Sequence, residues 1–311
     1  MLRTAVLIPC YNEETAITKV ITDFRRTLPD AIIYVYDNNS RDRTIEVAKQ
    51  AGAIVRSEPL QGKGNVVRRM FADIEADIYV LVDGDDTYDA ASAPQMITTL
   101  REDSLDMVNG ARVTHIQKAY RPGHRFGNWL LTGMVSWIFG SRFSDMLSGY
   151  RIMSRRYVKS FPALAAGFET ETELTVHALE LRMPIAEIPT PYKDRPEGSV
   201  SKLSTFKDGF RILWTIIVLV KEERPMQFFS LLALLLAAGS TSLIIPIVIQ
   251  FFETGLVPRL PTAVLSMGLM ILCFLSLTCG LILDTVTRGR REMKRMTYLS
   301  IPAPTSDRNA H

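Results

Sequence analysis

The sequence predicts an α/β domain on a mostly parallel sheet, followed by an interfacial helix and two C-terminal transmembrane helices. Three observations carry that expectation. Short apolar runs alternate with helical periodicity through the first hundred residues, the pattern of repeated βα units and of a sheet covered on both faces. Each of the first four strand-like runs ends in polar, ligand-capable residues. Two long stretches near the C-terminus, 228–252 and 262–283, carry no charged residue at all.

The elements follow in order. Residues 5–9 read as a buried strand and 14–26 as a helix; 31–36 and 41–51 repeat the pair. Residues 53–56 form a short strand, 63–75 a helix and 78–82 the fourth strand. A further strand is expected over 105–109, after which the pattern loosens. Residues 126–139, rich in Trp and Leu, read as a helix against lipid or core. Strands are expected over 148–153 and 185–188. Between them 168–181 reads as a helix whose acidic start, Glu169, Glu171 and Glu173, suits the positive end of its dipole. Residues 206–220 carry Phe206, Phe210 and Trp214 in an apolar run too short to cross a bilayer, which points to an interfacial helix, with a soluble core helix as the alternative. The expected domains are 1–202 (globular), 203–225 (interfacial), 226–287 (two spans) and 288–311 (a basic tail).

Each apolar stretch exceeds the ~20 residues that cross a hydrocarbon core of ~30 Å. The link over 253–261, with Gly255, Pro258 and Pro261, leaves room only for a tight turn. Lys221 and Arg224 precede the first span; Arg288, Arg290, Arg291, Lys294 and Arg295 follow the second. The positive-inside rule then places both termini and the globular domain on the cytoplasmic side of the inner membrane. The first fourteen residues hold too short an apolar run for a signal peptide. A net charge of +3 gives no polyanion-binding signature, and no nucleic-acid motif is present. The three cysteines, Cys10, Cys273 and Cys279, show neither a zinc spacing nor a disulfide framework, which fits a reducing compartment.

In an open parallel sheet, ligands bind outside the carboxyl ends of the strands. Those ends carry Pro9-Cys10-Tyr11-Asn12-Glu13, Asp37-Asn38-Asn39-Ser40, Glu58 leading to Gly62-Lys63-Gly64, and Asp83-Gly84-Asp85. Asp83 and Asp85, spaced i, i+2 at a strand end, form the oxygen cluster that Mg²⁺ or Mn²⁺ shares with substrate phosphates. Thr87 is a candidate third ligand. A capped surface turn is the alternative, and Asp86 and Asp89 are assigned to solvent or capping. Asn12 could merely cap the following helix, and Lys63 could be a solvated surface lysine.

Taken together, these motifs resemble family 2 glycosyltransferases. Asp145-Met146-Leu147-Ser148-Gly149-Tyr150-Arg151 and the run 195–203 resemble the branch of dolichyl-phosphate mannose synthase and bacterial polyprenyl-phosphate glycosyltransferases. The resemblance covers residues 4 to about 287 and implies a GT-A-like (Rossmann-like) domain. It implies that Pro9, Tyr11, Glu13, Asp37, Asn38, Lys63, Asp83 and Gly84 bind a nucleotide-sugar, with Tyr11 stacking on the base, Glu13 accepting from ribose, and Asp37 and Asn38 reading the base edge. It implies that Arg112, Arg125, Arg195 and Lys202 hold acceptor phosphate or diphosphate, which suits arginine's two-donor fork; snorkelling at a membrane surface is the alternative. Asp85 and Asp145 are the candidate catalytic residues. Asp37-Asn38 replaces the usual acidic pair and Arg43 the usual glycine, departures that bear on base preference. The Gln-x-x-Arg-Trp motif of processive synthases is absent.

The expected activity is inverting transfer of one sugar from a UDP- or GDP-linked donor to a polyprenyl phosphate, undecaprenyl or dolichyl, with Mg²⁺ or Mn²⁺ as cofactor. The expected partners are these two substrates and the membrane; a homo-oligomer stays open. A phosphate acceptor needs no general base, because its second ionisation lies near ~6. Asp145 would then orient the donor sugar or a clamp arginine. A lipid-linked hydroxyl acceptor, with Asp145 as base, and a non-catalytic nucleotide-sugar-binding scaffold are the alternatives.

Overall fold

The computed structural model describes residues 2–113, 133, 144–162, 170–193, 214, 217, 218 and 220–303. The chain divides into two compact units, Met1–Ile212 with Met293–His311, and Leu213–Glu292.

The first unit opens with β1 (Thr4–Cys10), α1 (Ile17–Thr27), β2 (Ile32–Asp37), α2 (Thr44–Gln50), β3 (Ile54–Ser57), α3 (Lys63–Asp73) and β4 (Ile78–Leu81). A 3₁₀ turn, Ala90–Ser92, leads into α4 (Ala93–Glu102), then β5 (Met107–Val113), β6 (Arg151–Ser154), α5 (Arg155–Ser160), α6 (Thr170–Glu180) and β7 (Ile185–Pro191). The seven strands form one sheet in the order β3-β2-β1-β4-β6-β5-β7. All neighbouring pairs are parallel except β4 with β6 and β5 with β6. The GT-A-like α/β class is therefore the observed one.

Sequence spacing explains how the layers close. α1 buries Ile17, Val20, Ile21 and Phe24, the i, i+3, i+4, i+7 stripe of a helix with one face on a core. It lands on Val6 and Ile8 of β1 and on Val80 of β4, both strands being apolar throughout their centres. Each such side chain, fully buried, contributes about 1.5–3 kcal/mol. The first four strands lie within one or two residues of the expected ranges. β5 begins two residues later than expected and runs on to Val113, because Gly110 to Val113 pair with β7 after β6 has turned away. β6 starts at Arg151 rather than 148, and α4 and α5 were not expected.

The second unit contains α7 (Pro225–Thr254) and most of α8 (Leu260–Leu299). Both have the length and composition to cross a membrane. Their apolar side chains lack protein cover over much of their length; Phe252 is 82% exposed and Leu234 66%. Small residues bring the two helices together. Ser240 Oγ donates to the Ser266 carbonyl (2.8 Å), Ser266 Oγ to that of Ser240 (2.9 Å) and Ser276 Oγ to that of Phe229 (3.1 Å), the small-and-hydroxyl packing that serves where lipid removes the hydrophobic drive.

The basic segment after the second span is not a separate tail. α8 continues without a break through Arg288–Arg295 to Leu299, and residues from Met293 on belong to the first unit. There Lys294 pairs with the buried Glu180 (2.6 Å), and Tyr298 donates to Asp106 (2.7 Å) beneath the Arg156 guanidinium. Most of the helices expected over 126–139 and 206–220 lies outside the described residues, as do Arg125, Arg195 and Lys202.

Candidate active site

Strand register gathers the site on one edge of the sheet. Cys10 stands opposite Asp37, so β1 and β2 end together; β4 ends at Leu81 opposite Leu7, and the chain after it runs on along β1 until Gly84 meets Cys10. Antiparallel β6 sets Arg151 against Leu81, which delivers residues 145–150 to the same edge from the opposite direction. β5 and β7 then leave toward it side by side, with Arg112 opposite Thr190.

The first two loops are knitted together. Asn12 N donates to Ser40 Oγ (2.8 Å), Glu13 N to Thr44 Oγ1 (2.9 Å), and Arg41 N to Asn12 Oδ1 (2.8 Å). Asn12 therefore bridges two loops and does not cap α1, which has no side-chain cap. Pro9 ends in the sheet opposite Tyr36; Tyr11 is half-buried beside it, and Glu13 is buried. Asp37 is 3% exposed, and its Oδ2 accepts from Ser40 N (3.1 Å). Its Oδ1 is buried with no hydrogen-bond partner in the protein. A buried acceptor left so requires an explanation, and a donor on a bound ligand supplies one.

Asn38 does something else. Its Nδ2 donates to the carbonyls of Glu58 (2.9 Å) and Leu60 (2.8 Å), while its Oδ1 accepts from Gly62 N (2.7 Å) and Gln61 Nε2 (3.2 Å). All four hydrogen-bonding positions of the amide are spent on the 58–62 loop. Asn38 is the strut of that loop and not a reader of a base edge.

Val82 to Thr87 present the acidic pair. Asp85 is buried, and its Oδ1 accepts from Thr87 Oγ1 (2.6 Å) and Thr87 N (3.3 Å). Thr87, 1% exposed, thus orients Asp85 and is not placed as a ligand itself. Gly84 is required by packing, since a Cβ there would stand 2.7 Å from Cys10 Sγ. Asp83 is more open, and its carboxylate lies over Gly149, where a Cβ would come within 2.9 Å of Asp83 Cγ and closer still to Oδ2. Asp86 pairs with Lys19 (2.7 Å) and Asp89 accepts from Ser92 Oγ (3.0 Å), as expected of residues outside the acidic pair.

Lys63 opens α3 and reaches inward. Its Nζ lies 2.5 Å from Asp83 Oδ1 and 2.5 Å from Glu171 Oε1. Burial works to lower the ammonium pKa, but the two carboxylates outweigh it and raise it well above the ordinary value. Lys63 is a buried, charged bridge and not a solvated lysine.

The residues present suit a hard divalent ion. Among the described residues no group of three or more His, Cys, Asp or Glu converges. Two carboxylates from one turn, with Asp83 cradled over Gly149, match a Mg²⁺-type ion that takes its remaining oxygens from substrate phosphate and water.

On the far half of the rim, Asp145 is buried and held at two points by Arg112, Nε to Oδ2 (2.6 Å) and Nη2 to Oδ1 (2.8 Å). Glu187 fixes the segment before it, accepting from Asp145 N (3.1 Å), Ser144 N (2.8 Å) and Asn109 Nδ2 (2.8 Å). The guanidinium of Arg112 lies 5.5 Å from the centre of the Tyr192 ring. Tyr88 accepts from Gly149 N (2.8 Å), and the buried Arg151 donates to the carbonyls of Met146 (2.7 Å) and Glu171 (2.9 Å). Glu171, Glu187, Tyr88 and Asn109 were not singled out as site residues in the sequence. Glu171 had a signal, an acidic residue early in a helix, but its partner lies 108 positions away.

Comparison with known proteins follows the same outline. The profile of the family described as Glycosyl transferase family 2 matches residues 5–160. Glycosyltransferase AglJ of Haloferax volcanii is 32% identical over 301 residues, covering 94% of this chain and 97% of its own. The Dolichyl-phosphate hexose transferase of the same organism is 30% identical over 220 residues, 71% of this chain and 95% of its own. Among solved structures, glucosyl-3-phosphoglycerate synthase of Mycobacterium tuberculosis, in complex with Mn²⁺, uridine-diphosphate-glucose and phosphoglyceric acid, is 22% identical with a TM-score of 0.56 over 71% of this chain and 79% of that one, a likeness of fold.

Proposed function

The chain belongs to glycosyl transferase family 2, and we propose that it transfers one hexose from a nucleotide-sugar to a polyprenyl phosphate at the cytoplasmic face of a membrane, with inversion at the anomeric carbon. The observation that carries the acceptor assignment is the state of Asp145. A hydroxyl acceptor needs a base; both oxygens of Asp145 are committed to Arg112. Of the other carboxylates of this edge, Asp83 and Glu171 pair with Lys63, Asp85 accepts from Thr87, and Glu187 accepts from Asp145 N, Ser144 N and Asn109 Nδ2. Asp37 and Glu13 are assigned to the nucleoside. A phosphate monoester brings its own anionic oxygen at neutral pH.

The residues divide the work accordingly. Asp37 Oδ1 accepts an N–H from the base, Tyr11 covers the base and Glu13 accepts from the ribose. Asp83 and Asp85 hold Mg²⁺ or Mn²⁺ against the diphosphate. When bound, that ion neutralises charge growing on the departing nucleoside diphosphate. Arg112, its charge paired with Asp145 and its guanidinium beside Tyr192, gives the transfer path a rigid wall, and Arg125, Arg195 and Lys202 are assigned to the phosphate clamp. The acceptor oxygen attacks the anomeric carbon as its bond to the diphosphate breaks; one displacement gives inversion. Electrostatic positioning of this kind needs no covalent step. The apolar helices α7 and α8, with basic residues at their flanks, anchor the chain in the membrane that holds a lipid acceptor. The name of the Haloferax volcanii hexose transferase agrees with a lipid phosphate as acceptor.

The test is transfer by the full-length chain in detergent, from a panel of labelled UDP- and GDP-hexoses, to undecaprenyl phosphate and to undecaprenol. Label should enter the lipid phase with the phosphate alone. Transfer to undecaprenol or a glycolipid hydroxyl would replace this reading with the hydroxyl-acceptor one, and nucleotide binding without transfer to any acceptor would make the chain a scaffold.

A further inference from the structure

Lys63 stands where a cation belongs. It touches Asp83, the more open member of the acidic pair, and is anchored at its other side by Glu171 on α6. The side chain of Lys63 is 12% exposed and that of Glu171 9%, against 30% for Asp83, so the bridge has one covered end and one open end. Asp85 is held separately by Thr87. The four side chains carry three negative charges and one positive. A divalent ion entering with the ammonium in place would meet a like charge on one of its two carboxylates, and at such separations in a partly buried site that repulsion is strong. A diphosphate changes the balance. It offers the ammonium another anion and the ion further oxygens.

We propose that Lys63 is a resident counter-cation that occupies Asp83 in the donor-free enzyme and releases it when a diphosphate arrives, so that the divalent ion binds with the nucleotide and not before it. Glu171 is the positioning residue that keeps the ammonium within reach of both anions. The proposal rests on the reading that Asp83 and Asp85 hold the ion together with the diphosphate.

The experiment is Mn²⁺ titration followed by electron paramagnetic resonance on the full-length chain in detergent, alone and with UDP or GDP. The informative variant is the double substitution Lys63→Met with Glu171→Gln, which removes one charge of each sign and leaves the site's net charge unchanged. Asp83 is uncovered in it, so nucleotide-free Mn²⁺ affinity should rise roughly tenfold and the gain produced by nucleotide should shrink; by reciprocity the gain that Mn²⁺ produces in nucleotide affinity shrinks equally. A nucleotide-free affinity equal to or below that of the unaltered chain overturns the proposal, because it means that the ammonium does not compete with the ion for Asp83. Lys63→Arg keeps the charge and pairs with a carboxylate through two donors. It should shift nucleotide-free affinity downward and enlarge the nucleotide effect, and it decides the matter if the double variant fails to fold; an unchanged affinity there also overturns the proposal. Absence of Mn²⁺ binding by the unaltered chain even with UDP or GDP would instead remove the metal reading itself, and the proposal with it.

Discussion

On the parallel half of the rim, at the ends of β1, β2 and β4, Asp37 keeps a buried oxygen without a protein partner and Asp83 pairs with Lys63. On the other half, at β5, β6 and β7, Asp145 and Glu187 spend their oxygens on Arg112, Asn109 and backbone amides. One half is built to receive positive charge and hydrogen-bond donors from what it binds. The other is already neutralised, and its contribution is a fixed shape. That division suits a reaction in which the donor side must stabilise a departing diphosphate while the nucleophile arrives ionised. The two halves share one sheet edge, so the difference comes from side-chain pairing and not from the fold.

Substitutions on the receptive half should cost the most. Asp85→Ala should lower transfer by roughly a thousandfold, several kcal/mol of lost charge stabilisation at ~1.4 kcal/mol per decade. The melting temperature should stay near that of the unaltered chain, and steady-state transfer in Mn²⁺ with thermal melting checks both. Gly149→Ala sharpens the comparison from the side of packing. Its methyl group would take the place of the Asp83 carboxylate, and Asp83 must swing away. The Mn²⁺ concentration for half-maximal transfer should rise roughly ten- to hundredfold, given ~1.4 kcal/mol per decade. Asn38→Ala should act least on chemistry. It strands the carbonyls of Glu58 and Leu60 and the Gly62 amide, a loss of about 1–3 kcal/mol in stability. The ratio of UDP to GDP affinity should not move, and a changed ratio in a competition assay would return Asn38 to the base edge.

What was legible in the sequence follows the same line. The first four βα units could be read because apolar runs, helical stripes and polar ends are local signals; Ile17 to Phe24 and Ile78 to Leu81 declare themselves. The convergence of polar loops on one edge followed from parallel strands. Side-chain pairing was not legible. Asn38 looks like a ligand in the sequence and is a strut because its partners sit 20 to 24 residues on. Lys63 reads as a nucleotide contact or a solvated lysine, and its burial was not legible because Glu171 comes from a distant helix. The extent of β5 was missed because Gly110-Ala111-Arg112 is not an apolar run, although its pairing with β7 continues through it. The docking of Lys294 and Tyr298 onto the first unit has no local signature at all, since a basic run after a span reads as a flank.

The central claim, that a phosphate and not a hydroxyl is the nucleophile, bears most directly on Asp145. Replacing it by Asn keeps the size and one hydrogen bond but breaks a largely buried ion pair, so the protein should lose up to about 3 kcal/mol of stability. The decisive measurement is kcat for Asp145→Asn at saturating undecaprenyl phosphate, well below the variant's melting temperature. The account predicts a fall of less than roughly tenfold, because no proton has to be removed, whereas loss of a required general base costs roughly 10²–10⁴-fold. A fall of that larger size, in variant protein that is folded and binds nucleotide at the assay temperature, would contradict it.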